Sequence, residues 1–167
     1  MENKLQIPVN LFSYPYGSGI NVTTPEVISH VKTARFDAAF TNIIGLDYSE
    51  DMLKIAKSKN IYRRLICQSL NKKTSLRSNQ FDVILCTGVL TSGHVGSNAI
   101  KELIRLTKKN GYLILSISEA IFEKLGFKKE LEQRKNELKT KIISNRFVAT
   151  PNNSHSAYSR MYVLTKV

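Results

Sequence analysis

No stretch of apolar residues in this chain approaches the roughly 20 that a helix needs to cross a bilayer, which argues against a helical membrane protein. Cysteine is scarce too. Cys67 and Cys86 are the only two, too few for a disulfide framework, and the opening MENKLQIPVN has no basic stretch followed by an apolar one, so no secretory leader is read there. A cytoplasmic protein with reduced thiols is expected. His30, His94 and His155 do not combine with Cys or carboxylates at metal-ligand spacing, so no metal site is predicted. A Gly-x-Ser-x-Gly nucleophile elbow and a Walker phosphate loop are also missing, which removes serine hydrolases and P-loop enzymes.

What is present is ordinary for a globular domain. The 167 residues are 42% hydrophobic and 23% charged, which excludes disorder and fits one domain. A chain near this size buries about 68–70% of its unfolded surface. Acids number 13 against 25 bases, a formal charge of +12. The excess is uneven, because residues 1–50 carry 3 bases and 5 acids while everything from residue 51 onward is basic. Arg63-Arg64, Lys72-Lys73 and Lys128-Lys129 are separate doublets, read as solvated faces; neither a nucleic-acid partner nor a membrane is expected.

From Thr41 onward, short apolar runs alternate with helical patterns, the signature of a doubly wound α/β fold with a mostly parallel sheet. Asn42–Asp47 is a strand, followed by a helix with Ser49 as N-cap and Glu50 and Asp51 set against the positive end of its dipole. Arg64–Gln68 and Phe81–Cys86 are the next strands. A helix with the stripe Ile100, Leu103, Ile104 and Leu106 is expected to stop at Asn110-Gly111, with Gly111 in the left-handed C′ position. Tyr112–Ser118 is the fourth strand. Residues 119–145 read as one or two amphipathic helices, with Glu130 and Arg134 spaced to pair. Arg146–Thr150 and Arg160–Lys166 form a closing antiparallel hairpin across Pro151–Ser154.

The first 40 residues fit this pattern poorly and are read as an atypical N-terminal segment before a domain spanning 41–167. Leu5, Ile7, Val9 and Leu11 alternate as in a strand, but Pro8 lacks the ladder donor, so an edge strand or irregular segment is expected. Thr24-Pro25 opens a helix of two to three turns through Val31.

Ligands of open parallel sheets bind outside the carboxyl ends of the strands, where strand order reverses. That position belongs to Asp47, Gln68–Leu70 and Cys86–Val89. A carboxylate there has two acceptor oxygens for a ribose diol, or alternatively serves only to cap the next helix. The run Ile44-Gly-Leu-Asp-Tyr-Ser-Glu-Asp-Met-Leu53, followed by Phe81-Asp-Val-Ile-Leu-Cys-Thr-Gly-Val-Leu90, resembles class I S-adenosylmethionine-dependent methyltransferases. Asn60–Leu65, Gly88–Val95, Asn98–Leu103 and Lys108–Gly111 further resemble the Williams-Beuren-region subgroup of methyltransferase-like proteins. The resemblance covers about residues 40–147 and implies S-adenosylmethionine as cofactor and methyl transfer as activity. It implies that Asp47 holds the ribose, that Tyr48 and Met52 lie beside the adenine with Ser69 and Leu70, and that Thr87 and Gly88 run under the methionine part. Methyl transfer from a sulfonium needs mainly proximity and a dry site, so no catalytic residue is assigned. His94 is either a substrate contact or base, or an exposed loop histidine.

The chain departs from that family at its first motif. A strand and a Gly-x-Gly-x-Gly loop belong about 20 residues before Asp47, but residues 22–36 hold no glycine. Gly17-Ser18-Gly19 is the candidate, either a relocated cofactor loop or an ordinary turn. The missing strand separates the Asn42 and Phe81 strands in the order 3-2-1-4-5-7-6. If it is absent, each unpaired backbone group costs about 1–3 kcal/mol. Either the first 40 residues fill the gap, or the chain is a truncated isoform with impaired function. A catalytically inactive scaffold and a basic RNA-binding module are the alternatives. The segment after Cys86 lacks the Asn/Asp-Pro-Pro-aromatic motif of enzymes that methylate base amino groups, and Cys86 lacks the preceding proline of cytosine-C5 enzymes. The methyl acceptor, a small molecule or a protein, and the oligomeric state are not specified by the sequence.

Overall fold

The computed structural model describes residues 9–11, 42–60, 62–148 and 158–167. Seven strands form one sheet: β1 (Val9–Leu11), β2 (Ile43–Asp47), β3 (Tyr62–Cys67), β4 (Phe81–Leu90), β5 (Thr107–Ser118), β6 (Leu138–Val148) and β7 (Tyr158–Lys166). Their spatial order is β3-β2-β1-β4-β5-β7-β6, parallel except for β7 and β6. This is the expected doubly wound sheet with its closing hairpin.

The gap at the centre is filled from the N-terminal segment. Val9 and Asn10 pair with Ile44 and Gly45 on one side, and Asn10 and Leu11 pair with Leu85 and Cys86 on the other. The edge-strand expectation for this segment is therefore corrected: it supplies the central strand. The described strand begins at Val9, one residue after Pro8, and Val9 and the two residues after it all have the backbone donor a central strand needs. The Thr24–Val31 helix lies outside the described residues.

Among the described residues four helices lie between the strands: α1 (Glu50–Ser58), α2 (Asn98–Leu106), α3 (Glu119–Phe122) and α4 (Phe127–Gln133). The Ser49 hydroxyl caps α1 by accepting from the Met52 amide at 3.3 Å, as its position predicts. Helix α2 buries Ala99, Ile100, Leu103, Ile104 and Leu106 against Ile84, Cys86, Leu113 and Leu115 on one sheet face. The alternate residues Val83 and Ile114 point to the other face, beside Leu85, Tyr112, Met161 and Val163.

Strands β3, β4 and β5 are each longer than expected, and two further differences bear on the packing. Helix α2 ends at Leu106 instead of Asn110, and Asn110, not Gly111, takes the positive φ of 60°. Gly111 is needed for closeness: a Cβ there would sit 2.8 Å from the Asp82 carbonyl oxygen. The second difference is β6, which begins at Leu138 and takes residues expected to be helical. Leu138, Thr140 and Ile142 alternate at the strand period, and pairing with β7 decides between the two periods. The Glu130–Arg134 pair does form, at 3.0 Å.

Candidate functional site

Strands β2, β1 and β4 run parallel, so their carboxyl ends meet along one rim of the sheet, and strand order reverses between β1 and β4. Asp47 is the last residue of β2 and is 6% exposed. Its Oδ1 accepts from the Ser49 amide at 2.8 Å, and its backbone carbonyl accepts from the Gln68 amide at 2.9 Å. Its Oδ2 is buried with no hydrogen-bond partner among the described residues. Burial pushes the Asp47 carboxyl above the usual range, against the Ser49 and Tyr48 amides and the charge of His94, which favour the carboxylate. A helix cap needs one carboxylate oxygen, and the second is left for something else.

The other expected residues divide into those at this rim and those already engaged. Tyr48 follows Asp47 and is 54% exposed, while Met52 is half-buried one turn into α1. Ser69 is exposed, and its hydroxyl accepts from the Asn71 amide at 3.2 Å; Leu70 beside it is buried. Thr87 is buried one residue past Cys86, which is opposite the end of β1. Gly88 has φ 74°, a conformation that favours glycine, within the irregular stretch of β4 between Cys86 and Leu90. Its amide donates to the Ser116 hydroxyl at 2.9 Å. Gly17-Ser18-Gly19 lies outside the described residues.

His94 is half-buried, and its Nδ1 lies 2.6 Å from the Thr91 hydroxyl. Asn71, which the sequence reading passed over, joins the loops that follow β3 and β4. Its Nδ2 donates to the His94 carbonyl at 3.4 Å, and its Oδ1 accepts from the Gly96 amide at 3.1 Å. Glu102 on α2 was also missed. It accepts from the Thr74 amide and hydroxyl at 2.8 and 2.7 Å and from Arg105 at 2.6 Å, while Arg105 donates to the Leu76 carbonyl at 2.9 Å. Burial opposes its charge, but the hydrogen bonds from Arg105 and Thr74 prevail and lower the Glu102 carboxyl below its ordinary range. Nothing in the spacing of Asn71 or Glu102 marks these roles.

The two cysteines are free, as expected. Cys86 is buried, and burial pushes its thiol up; Cys67 is exposed, with its thiol donating to the Tyr48 carbonyl at 3.5 Å. Among the described residues no group of His, Cys and carboxylates could hold a metal, and no helix is long and apolar enough to cross a membrane.

An open sheet in this order, with an acid at the end of β2, defines the class I methyltransferase fold. Residues 28–115, more than half of the chain, match the methyltransferase domain family, and the chain belongs to that family. It is 31% identical over 113 residues to human methyltransferase-like protein 27, covering 67% of this chain and 45% of that protein. The chain thus spans about half the length of this curated relative. Its fold is similar to a Listeria monocytogenes protein classed as an S-adenosylmethionine-dependent methyltransferase, with a TM-score of 0.59 at 14% identity over 83% of this chain and 86% of that one. A SAM-dependent methyltransferase of Methanosarcina mazei aligns with a TM-score of 0.56 at 14% identity, covering 75% of this chain and 82% of that one.

Proposed function

We propose that the chain binds S-adenosylmethionine at the rim between β2 and β4 and transfers its methyl group to a small molecule or a protein. The observation that carries this reading is the Oδ2 of Asp47, unpartnered among the described residues and buried at the sheet position where a ribose diol is held. A buried carboxylate oxygen without a donor costs about 1–3 kcal/mol or more, and a ligand hydroxyl repays that cost. Tyr48 and Met52 supply apolar surface for the adenine ring, with Ser69 and Leu70 along its edge. Gly88 lets the backbone approach the amino-acid part beside Thr87. When bound, the cofactor supplies a sulfonium methyl group for in-line displacement. The residues of this chain orient it and exclude water. Two unpaired thiols, one of them exposed, fit a reducing compartment, and we place the protein in the cytoplasm.

Calorimetric titration with S-adenosylhomocysteine tests the reading. Binding to the native chain and a loss of at least about tenfold in Asp47→Ala, equivalent to 1.4 kcal/mol, are expected. A folded sample that binds neither S-adenosylhomocysteine nor S-adenosylmethionine overturns it. If both bind, a screen with radiolabelled S-adenosylmethionine separates a transferase from an inactive scaffold.

A further inference from the structure

Two of the three basic doublets, Arg63-Arg64 and Lys72-Lys73, fall on β3 and on the segment that leaves it. Between Asp51 and Asp82 the chain contains Lys54, Lys57, Lys59, Arg63, Arg64, Lys72, Lys73 and Arg77, and no acid at all. These residues fall on α1, on β3 and on the segment leaving β3. Helix α1 joins β3 through the short link after Ser58, which puts Lys57 and Lys59 at the start of β3, and Lys72 and Lys73 follow its far end. Arg63 and Arg64 are within β3 and both are exposed, although neighbouring residues of a strand point to opposite faces. The border is therefore basic on both faces, over a strand of six residues or about 20 Å.

Among the described residues β3 is also the last strand on its side of the sheet, with β2 as its neighbour. An edge strand presents a row of backbone donors and acceptors that another strand can pair with. Like charge turns away a second copy of this edge. An acidic strand instead gains both ladder hydrogen bonds and ion pairs.

We propose that β3 is a docking edge for an extended acidic segment of a partner protein, which adds to the sheet as a strand beside β3 and is held by Arg63 and Arg64. Arg63 and Arg64 lie toward the start of β3, away from Cys67, the residue that pairs with Asp47, and the inference does not depend on the cofactor reading.

The test is fluorescence anisotropy of the full chain with a short labelled peptide of Glu-Glu pairs separated by single Val residues, which puts acid on both faces of an added strand. Its controls are the same peptide N-methylated on alternate backbone nitrogens and a single-stranded RNA of similar length. The unmodified peptide is expected to bind at low salt and to weaken as salt rises. Arg63→Ser with Arg64→Ser should weaken it about tenfold, while Lys128→Ser with Lys129→Ser removes equal charge elsewhere and leaves it unchanged. Hydrogen exchange of the native chain should show added protection at β3 on peptide addition. Failure of the peptide to bind at low salt overturns the proposal. Equal affinity for the N-methylated peptide shows charge without strand addition and also overturns it, as does tighter binding of the RNA, which would make the border a phosphate-binding surface.

Discussion

Asp47 shows how one side chain can be costly to the empty fold and useful to a ligand. Because burial raises its pKa in the folded chain, the ionised form is disfavoured there, and the penalty grows as pH rises from the unfolded value through the folded one. Asp47→Asn removes the charge at nearly constant shape. Ligand-free Asp47→Asn is therefore expected to melt higher than the native chain at neutral pH, by about 2–4 °C for each kcal/mol gained. The difference should vanish below the carboxylate range, where both side chains are neutral. The same variant should lose the thermal shift given by S-adenosylhomocysteine. In the native chain that shift should shrink on acidification, because a protonated Oδ2 is a poorer acceptor. Equal melting of native and variant chains at neutral pH would refute the burial argument. The location of Asp47 was legible in the sequence, since an acid ending the second strand ahead of a good N-cap has few other positions. Its orphan oxygen was not, because satisfaction of a buried atom depends on neighbours from elsewhere in the chain.

At the scale of elements, the segment between β3 and β4 has no secondary structure of its own and borrows its rigidity from α2. Glu102 is buried among Thr74 and Arg105, and Arg105 in turn holds the Leu76 carbonyl and the Ser78 hydroxyl. Glu102→Ala should cost about 2–3 kcal/mol, since it leaves a largely buried guanidinium and two Thr74 donors with fewer partners. Faster hydrogen exchange at Thr74–Ser78 should accompany the lower melting temperature, and weaker S-adenosylhomocysteine binding should follow, because the same segment carries Ser69 and Asn71. Unchanged exchange there would show that the segment is held by other contacts. The stability that Glu102 supplies should also fade as pH falls through its lowered pKa, the sign opposite to Asp47. The parallel strands and α2 were readable from periodicity because apolar runs of the right length alternate. The role of Val9–Leu11 was not. Three residues carry too little pattern, and their pairing with partners more than 30 residues away in sequence decides that they form the central strand. Asn10→Pro tests this strand: loss of a ladder donor in the middle of the sheet should cost about 3 kcal/mol or more and broaden or abolish the cooperative melt.

Across the whole molecule, the +12 charge is distributed very unevenly, with eight bases and no acid between Asp51 and Asp82. In the ligand-free chain these bases repel one another, and the repulsion is screened over about 10 Å at 0.1 M salt and about 3 Å at 1 M. The native protein should therefore melt higher as salt rises from very low levels, before any general salt effect sets in. Reversing part of the cluster should do the same without salt. Lys72 and Lys73 are both exposed, so Lys72→Glu with Lys73→Glu removes repulsion and adds attraction with no loss of packing. A gain of up to about 1 kcal/mol at low salt is expected, of the size measured for exposed charge pairs, and it should disappear at high salt. The same exchange at Lys128 and Lys129 should gain less, because Glu123 already pairs with Lys128 at 2.9 Å. Equal gains at the two sites, or a gain that survives high salt, would show that the border of β3 carries no special repulsion. A larger, salt-sensitive gain at the β3 border would show that this sheet edge is kept basic at a cost to the free protein.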